Sequence, residues 1–305
     1  MSAAMDLKDD AQAAGTVGFV GLGVMGEPMC RNLARRSGRG VLAFDRAAEP
    51  LARLRDHGVQ AAADIGELAE RCSVILLCLP SGNHVAEVCR GADGLLARLG
   101  AGRTVVDLGT SPVALTRELA AAFGERGVRY ADAPIARTRQ AAEEGTLSIT
   151  VGSDPATFEA IRPLLACLGS DITHCGPVGS GQIVKILNNM VLIETVVALS
   201  EALAVGRRAG LDGAVLFDAL SKGSADSFAL RNHGMKAVLP GVFPEKAFST
   251  AYAPKDLGYA LALGDDAGLP MEGARLAERL LKRAAEDGYE QHYWPVVSRV
   301  IDSTG

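Results

Sequence analysis

No block of basic residues interrupts this chain, and its 31 lysines and arginines are outnumbered by 36 acidic residues, leaving a net charge of −5. That balance argues against attraction to a nucleic-acid backbone and points instead to a small-molecule partner. Cysteine is sparse and unpatterned: Cys30, Cys72, Cys78, Cys89, Cys167 and Cys175 form neither a Cys-x-x-Cys pair nor a Cys/His metal spacing. With no secretory signal read ahead of them, they are expected to be reduced thiols of a cytoplasmic protein that holds no metal. The apolar runs, such as VILLCLP at 74–80, fall short of the roughly 18 to 20 residues a membrane helix needs, so no membrane partner is expected. Internal repeats and low-complexity segments are lacking as well.

What is present is apolar content, 48% of 305 residues, enough for one large or two ordinary domains with filled cores. Residues 1–14 (MSAAMDLKDDAQAA) are polar and Ala-rich without an apolar period and read as a mobile leader. From Thr16 onward, short apolar runs (TVGFVGL, VLAFD, VILLCLP, TVVDLG, VRYADAPI, TLSITVGS) alternate with helical spacings at 27–36, 48–57, 83–90 and 112–126. This alternation predicts an α/β domain over 15–178, a doubly wound and mainly parallel sheet covered on both faces. Ser153 or Asp154 is placed to cap a further helix that carries Pro155 in its first turn. Beyond it, amphipathic segments at 181–209, 212–222, 228–238, 253–266, 270–287 and 293–301 predict an all-helical domain over 179–305.

The first strand runs into VGFVGLGVMG, where Gly21, Gly23 and Gly26 have the Gly-x-Gly-x-x-Gly spacing between a strand and a helix. The first glycine allows the turn, the second lets a pyrophosphate approach the backbone, and the third lets helix and strand pack closely. Leu22, Val24 and Met25 complete the loop, whose N–H groups and helix dipole suit a phosphate. Asp45 ends the next strand about 20 residues on, where a carboxylate accepts the adenosine ribose hydroxyls and repels a 2′-phosphate. NAD is therefore expected, although Arg46 beside it can accommodate NADP; Asp45 can equally cap the helix that follows.

Taken in order, GFVGLGVMGEPMCRNL, DLGTSP, DAPI, GTLSITVGS, GPVGSGQIVKILNNM and APKDLGYAL resemble the β-hydroxyacid dehydrogenase family, in its 3-hydroxyisobutyrate dehydrogenase-like branch, from Thr16 to about Asp302. The resemblance implies a Rossmann-type domain followed by an all-helical one. It also implies that Lys185 is the catalytic acid/base, that Asn189 orients the substrate oxygen, and that Lys255 lies close to cofactor and substrate. Leu79, Pro80 and Thr110 are implied to touch the nicotinamide half of the cofactor. The residues themselves agree. Lys185 and Asn189 are four apart on one helix face, and a lysine sunk between apolar helices has its pKa depressed toward the working range of an acid/base. Lys255 and Asp256 form a second polar pair at a helix start, where Asp256 is also suited to capping; Phe248 and Tyr252 are candidates to close the substrate side.

The chain departs from that family at Ala136-Arg137-Thr138, where relatives have Ser-Gly-Gly. The arginine's planar fork suits a carboxylate or sulfonate, and the threonine hydroxyl can replace the missing serine. A similar Gly-Arg-Thr occurs in the sulfolactaldehyde reductase branch. Arg139, by contrast, reads as a surface partner of Glu143 or Glu144. The expected function is NAD(P)-dependent interconversion of a short acid-bearing aldehyde and its hydroxy acid, in a homodimer or homotetramer. Tartronate, succinate and methylmalonate semialdehydes, sulfolactaldehyde, and serine-like or threonate-like hydroxy acids all fit. An imine reductase and a non-catalytic NAD-binding sensor are the alternatives, the first disfavoured by Lys185.

Overall fold

A computed structural model describes residues 15–245 and 248–303 and divides into two compact units, up to Lys185 and from Ile186. The leader read at 1–14 lies outside the described residues. In the first unit the strands are β1 (Thr16–Val20), β2 (Val41–Phe44), β3 (Val59–Ala61), β4 (Cys72–Leu77), β5 (Thr104–Asp107), β6 (Arg129–Asp132), β7 (Ile135–Ala136), β8 (Leu147–Gly152) and β9 (Gly169–Gly176). Among the described residues they form one sheet in the order β3-β2-β1-β4-β5-β6-β8-β7, with β9 paired to β8. Pairing is parallel from β3 through β6, while β8 runs antiparallel to β6 and β7.

Side chains of β1 and β4 explain why the sheet is covered on both sides. Val17, Phe19, Val74 and Leu76 point into one core, Val20, Ile75 and Leu77 into the other, as the two-residue period of a strand requires. Helices α1 (Gly26–Arg36), α2 (Ala48–Arg55), α3 (Ile65–Arg71), α4 (Gly82–Arg90), α5 (Leu95–Arg98), α6 (Val113–Gly124), α7 (Arg139–Glu144) and α8 (Pro155–Leu165) cover the two faces. Met29, Leu33 and Ile161 enter the first core, and Leu68, Val85, Leu119 and Phe123 the second. Asp154 caps α8 by accepting the Thr157 N–H at 2.9 Å, and Asp64 caps α3 through the Glu67 N–H in the same way.

The second unit is helical. Helix α9 (Ser180–Arg208) runs into it from the first and is followed by α10 (Gly213–Leu220), a π-helical segment at Leu230–Val238, α11 (Ala253–Asp266), α12 (Glu272–Ala284) and α13 (Val297–Ser303). Its core gathers Ile193, Val196, Val197, Leu203, Phe217, Leu230, Leu257, Leu281 and Trp294. One sequence expectation needs correction here: by length and composition α9 is apolar enough to cross a membrane. The apolar runs were too short only because Lys185, Asn188, Asn189, Glu194 and Glu201 interrupt them. Its residues Ile193, Val196, Val197, Leu199 and Leu203 belong to the helical core, a role that calls for the same composition.

The start of α9 is bound to the carboxyl edge of the sheet. Asp132, at the end of β6, accepts the N–H of Gly179 and the N–H of Gln182, each at 2.7 Å. These are orphan donors of a helix's first turn, where a carboxylate also meets the positive end of the dipole. Gly152 and Gly181 leave room for it, since a Cβ on either would collide with the Asp132 carboxylate. Burial pushes the Asp132 carboxyl up to about 6, although the N–H groups of Gly179 and Gln182 pull it down. Because this value lies above the ordinary 3.8, protonation favours the folded state. The stability from this group is fully present below about pH 4 and is lost as pH rises through about 6, by roughly 3 kcal/mol. In urea unfolding at about pH 4 and pH 7, Asp132→Asn should therefore lose that part of the pH dependence; an unchanged dependence would count against it.

Candidate active site

The turn between β1 and α1 has the shape a dinucleotide pyrophosphate needs. Gly21 has φ +93° and lies so close to the Cys78 carbonyl that a side chain there would collide with it. A Cβ on Gly26 would strike the Gly21 carbonyl oxygen, whereas one on Gly23 would meet no heavy atom within 4 Å. Two of the glycines thus serve strand–helix packing, and the middle one faces open space, the place where a phosphate can approach the backbone. Val24 is exposed and Met25 sits at the N-cap of α1. Asp45 joins this turn to the next helix: one carboxylate oxygen accepts the Leu22 N–H at 2.5 Å and the other the Ala47 N–H at 2.8 Å. Asp45 is not the N-cap of α2, which is Ala47 without a side-chain cap bond; its bond to Ala47 closes the turn before the helix, and the Leu22 bond holds the carboxylate beside the glycine turn. Arg46 turns outward to Glu87 at 2.5 Å, an exposed pair worth at most about 1 kcal/mol. Leu79 and Pro80 follow β4, and Thr110 follows β5; a Cβ on Gly109 would come 3.0 Å from the Leu79 carbonyl oxygen, so these two loops lie side by side at the carboxyl edge.

Lys185 lies on α9 three residues after Gln182, on the same helix face. Gln182 is fully buried; its amide donates to the Gly109 carbonyl at 2.8 Å and accepts the Ser111 N–H at 3.1 Å. Asp107 supports that loop from beneath by accepting the Gly109 N–H at 2.9 Å and the Ser111 hydroxyl at 2.7 Å. Lys185 is half-buried and follows on the helix start that Gln182 binds to the loop after β5. Asp107, Ser111, Asp132 and Gln182 were not singled out from sequence, although all four sit in or next to its motifs.

In the second unit the structure brings together Asn189, Asp256, Lys255 and Tyr252. The Asn189 Nδ2 donates to Asp256 Oδ2 at 2.7 Å, and Lys255 Nζ lies 3.5 Å from Asp256 Oδ1. The Lys255 ammonium also sits 5.3 Å from the Tyr252 ring centre and 5.7 Å from that of Tyr259. Asp256 is not the helix cap its position allowed, since α11 has Tyr252 at its N-cap and no side-chain cap. Phe248 and Tyr252 stand with ring centres 6.4 Å apart and are 41% and 44% exposed, so they do not fill the core.

At the departure from the family motif, the geometry revises one expectation. Arg137 takes φ +87°, a conformation that costs a non-glycine residue on the order of 1–2 kcal/mol. Its guanidinium pairs with Asp171 at 2.8 Å and donates to the Thr146 carbonyl at 2.6 Å and the Ser170 hydroxyl at 3.3 Å. The fork read as open to a substrate acid is thus filled by β9, whose pairing with β8 brings Asp171 alongside. The Ser170 hydroxyl and Arg137 both hold the Asp171 carboxyl below the usual carboxylate range. Ala136 pairs with Ser148 across β7 and β8, and the Thr138 hydroxyl caps α7 by accepting the Ala141 N–H at 3.3 Å. Arg139 pairs with Glu143 at 2.9 Å.

A parallel sheet with this glycine turn, followed by a helical unit, defines a nicotinamide-dependent oxidoreductase. Residues 16–176 match the NAD binding domain of 6-phosphogluconate dehydrogenase, and residues 179–294 match the domain described as NAD-binding of NADP-dependent 3-hydroxyisobutyrate dehydrogenase. The chain belongs to the 3-hydroxyisobutyrate dehydrogenase-like hydroxyacid dehydrogenases and is an NAD(P)-dependent enzyme. It is 35% identical to 2-(hydroxymethyl)glutarate dehydrogenase of Eubacterium barkeri, over 87% of this chain and 88% of that one. To 3-hydroxyisobutyrate dehydrogenase of Pseudomonas aeruginosa it is 37% identical, over 81% and 84%. Among solved structures, Mycobacterium tuberculosis 3-hydroxyisobutyrate dehydrogenase with L-serine superposes with a TM-score of 0.86 at 28% identity, covering 94% of this chain and 99% of that one.

The glycine geometry yields a paired test. Gly23→Ala should leave the cofactor-free melting temperature within about a degree and weaken NADH binding at least about tenfold, measured by fluorescence titration. Gly26→Ala should lower the melting temperature itself, because its new Cβ meets backbone.

Proposed function

We propose that the protein interconverts a short acid-bearing aldehyde and the corresponding hydroxy acid, with Lys185 as general acid/base and Asn189 orienting the reacting oxygen. The observation that carries this reading is the bonding of Gln182 to Gly109 and Ser111, which fixes the start of α9 at the carboxyl edge of the sheet, where open α/β folds bind dinucleotides. A nicotinamide dinucleotide held by its pyrophosphate at the Gly21–Gly26 turn would supply a hydride in reduction and take one up in oxidation. The Lys185 ammonium gives its proton to the carbonyl oxygen as that oxygen becomes a hydroxyl; in the other direction the neutral amine takes the proton back. The Asp45 carboxylate beside the glycine turn favours NAD over NADP.

The substrates named for the relatives, 2-(hydroxymethyl)glutarate and 3-hydroxyisobutyrate, and the L-serine of the related structure share a primary alcohol on the carbon next to the one bearing a carboxylate. We extend that class, HOCH2–CHR–CO2⁻ and its semialdehyde, to this chain. Arg137 is the candidate for an acid group of the substrate. Its pair with Asp171 is about half-exposed and weakened by solvent screening, so an incoming carboxylate or sulfonate can take the place of Asp171. The exposed apolar residues Val184, Leu187, Val191 and Val205 of α9 support assembly as a homodimer or homotetramer.

Assays of such hydroxy acids and semialdehydes with NAD, NADP and their reduced forms test the reading. Lys185→Ala should lose about 100-fold or more in kcat while still binding NADH; an undiminished kcat would remove the acid/base role. Nucleotide binding without turnover of any of these compounds would leave a sensor. Arg137→Gly, which also relieves the backbone at φ +87°, should raise KM for the acid at least about tenfold and spare an uncharged aldehyde. Asp171→Asn, by releasing the guanidinium, should lower KM for the acid; equal effects on charged and uncharged substrates would exclude the clamp.

A further inference from the structure

We infer that Asp256 is a positioning residue of the reaction, whose buried carboxylate holds the Asn189 amide in one of its two flips. The inference rests on the reading of Asn189 as the residue that orients the substrate oxygen. An Asn amide presents two N–H donors on one side and an acceptor on the other, and a half-turn exchanges them. Asp256 Oδ2 lies 2.7 Å from that amide and is 3% exposed. A carboxylate accepts hydrogen bonds and repels a carbonyl oxygen, so the NH2 side of Asn189 must face it.

The rest of the amide's arrangement follows. The Asn189 carbonyl oxygen accepts from the Asn188 Nδ2 at 3.2 Å, and one Nδ2 hydrogen is spent on Asp256. The remaining N–H is the group Asn189 can offer to a substrate. A donor suits an oxygen that gains negative charge as hydride reaches the adjacent carbon, while the flipped amide would present a carbonyl oxygen and repel it. Asp256 Oδ1 is buried without a hydrogen bond and lies 3.5 Å from the Lys255 ammonium. A cation on that side and the amide on the other account for a carboxylate buried in the first turn of α11 where it caps nothing.

The test is a double-mutant cycle read in kcat and in KM for NADH. Asp256→Ala should lower kcat about 10- to 100-fold and leave the KM for NADH unchanged. Asp256→Asn, whose side-chain oxygen can still accept from Asn189, should keep kcat within about threefold of the parent. In the Asn189→Ala background, Asp256→Ala should cost nothing further, because the group it positions is gone. Multiplicative losses in the double variant would overturn the inference. So would an Asp256→Ala protein with lowered melting temperature and undiminished kcat. Full activity in Asn189→Ala alone would instead remove the orienting role of Asn189 itself, and this inference with it.

Discussion

Two hydrogen bonds from a helix start to one buried carboxylate fix the first turn of α9 at the carboxyl edge of the sheet. Asp132 accepts from Gly179 and Gln182, and two donors three residues apart hold the first turn of α9 at the end of β6 in direction as well as in place. The helix start inherits that position: Gln182 reaches Gly109 and Ser111, and Lys185 follows on the same face. The arrangement requires glycine at 152 and 181, which explains why those residue types occur in GTLSITVGS and GPVGSGQ without any appeal to flexibility. It also requires desolvating a charge. The raised carboxyl of Asp132 is the mark of that cost, accepted where a neutral acceptor would bind the helix dipole less strongly.

The cofactor turn works by a complementary device, the removal of atoms. Gly21 and Gly26 let β1, the Cys78 loop and α1 come into backbone contact, and Gly23 leaves a surface with nothing above it. Asp45 then links the turn to the end of β2 through the Leu22 N–H. Each Asp45 oxygen accepts one backbone N–H, from Leu22 or Ala47, and keeps a further acceptor site, so these bonds orient the carboxylate while leaving it able to accept a hydroxyl.

Much of this architecture is written locally. The strand–glycine–helix–strand–aspartate run, the long α9 and the bounds of α11 follow from periodicity and capping over a few residues, and they occur where the sequence predicts them. The elements that escaped are those without a local signal. Strand β3 has three residues and α3 seven, and β9 (GSDITHCG) begins with Gly, Ser and Asp and buries fully only its first residue. Long-range partners are harder still. Arg137 and Asp171 meet only because β9 pairs with β8, and Asn189 meets Asp256 across 67 residues; neither spacing carries a period. The roles proposed for Lys185 and Asn189 come from the motif series, while the carboxylate contacts around them, such as Asp132 with Gln182 and Asp256 with Asn189, carry no such signal.

Those carboxylates divide the work by what surrounds them. Asp132 and Asp256 are buried and bonded to groups that must not move; Asp171 is exposed and bonded to a cation that can let go. A buried carboxylate that loses its partner keeps its full desolvation penalty, so its bond is in effect permanent. An exposed one exchanges its partner for water at little cost. On the role proposed for Arg137, selectivity for an acid-bearing substrate would fall to the Arg137–Asp171 pair, where one carboxylate would compete with another on nearly equal terms. That competition would turn on reach and geometry more than on charge, because Asp171 already supplies the charge. A substrate acid would gain over Asp171 only by bonds made elsewhere. Occupancy of Arg137 would thus be coupled to correct seating of the whole molecule rather than to the mere presence of an anion.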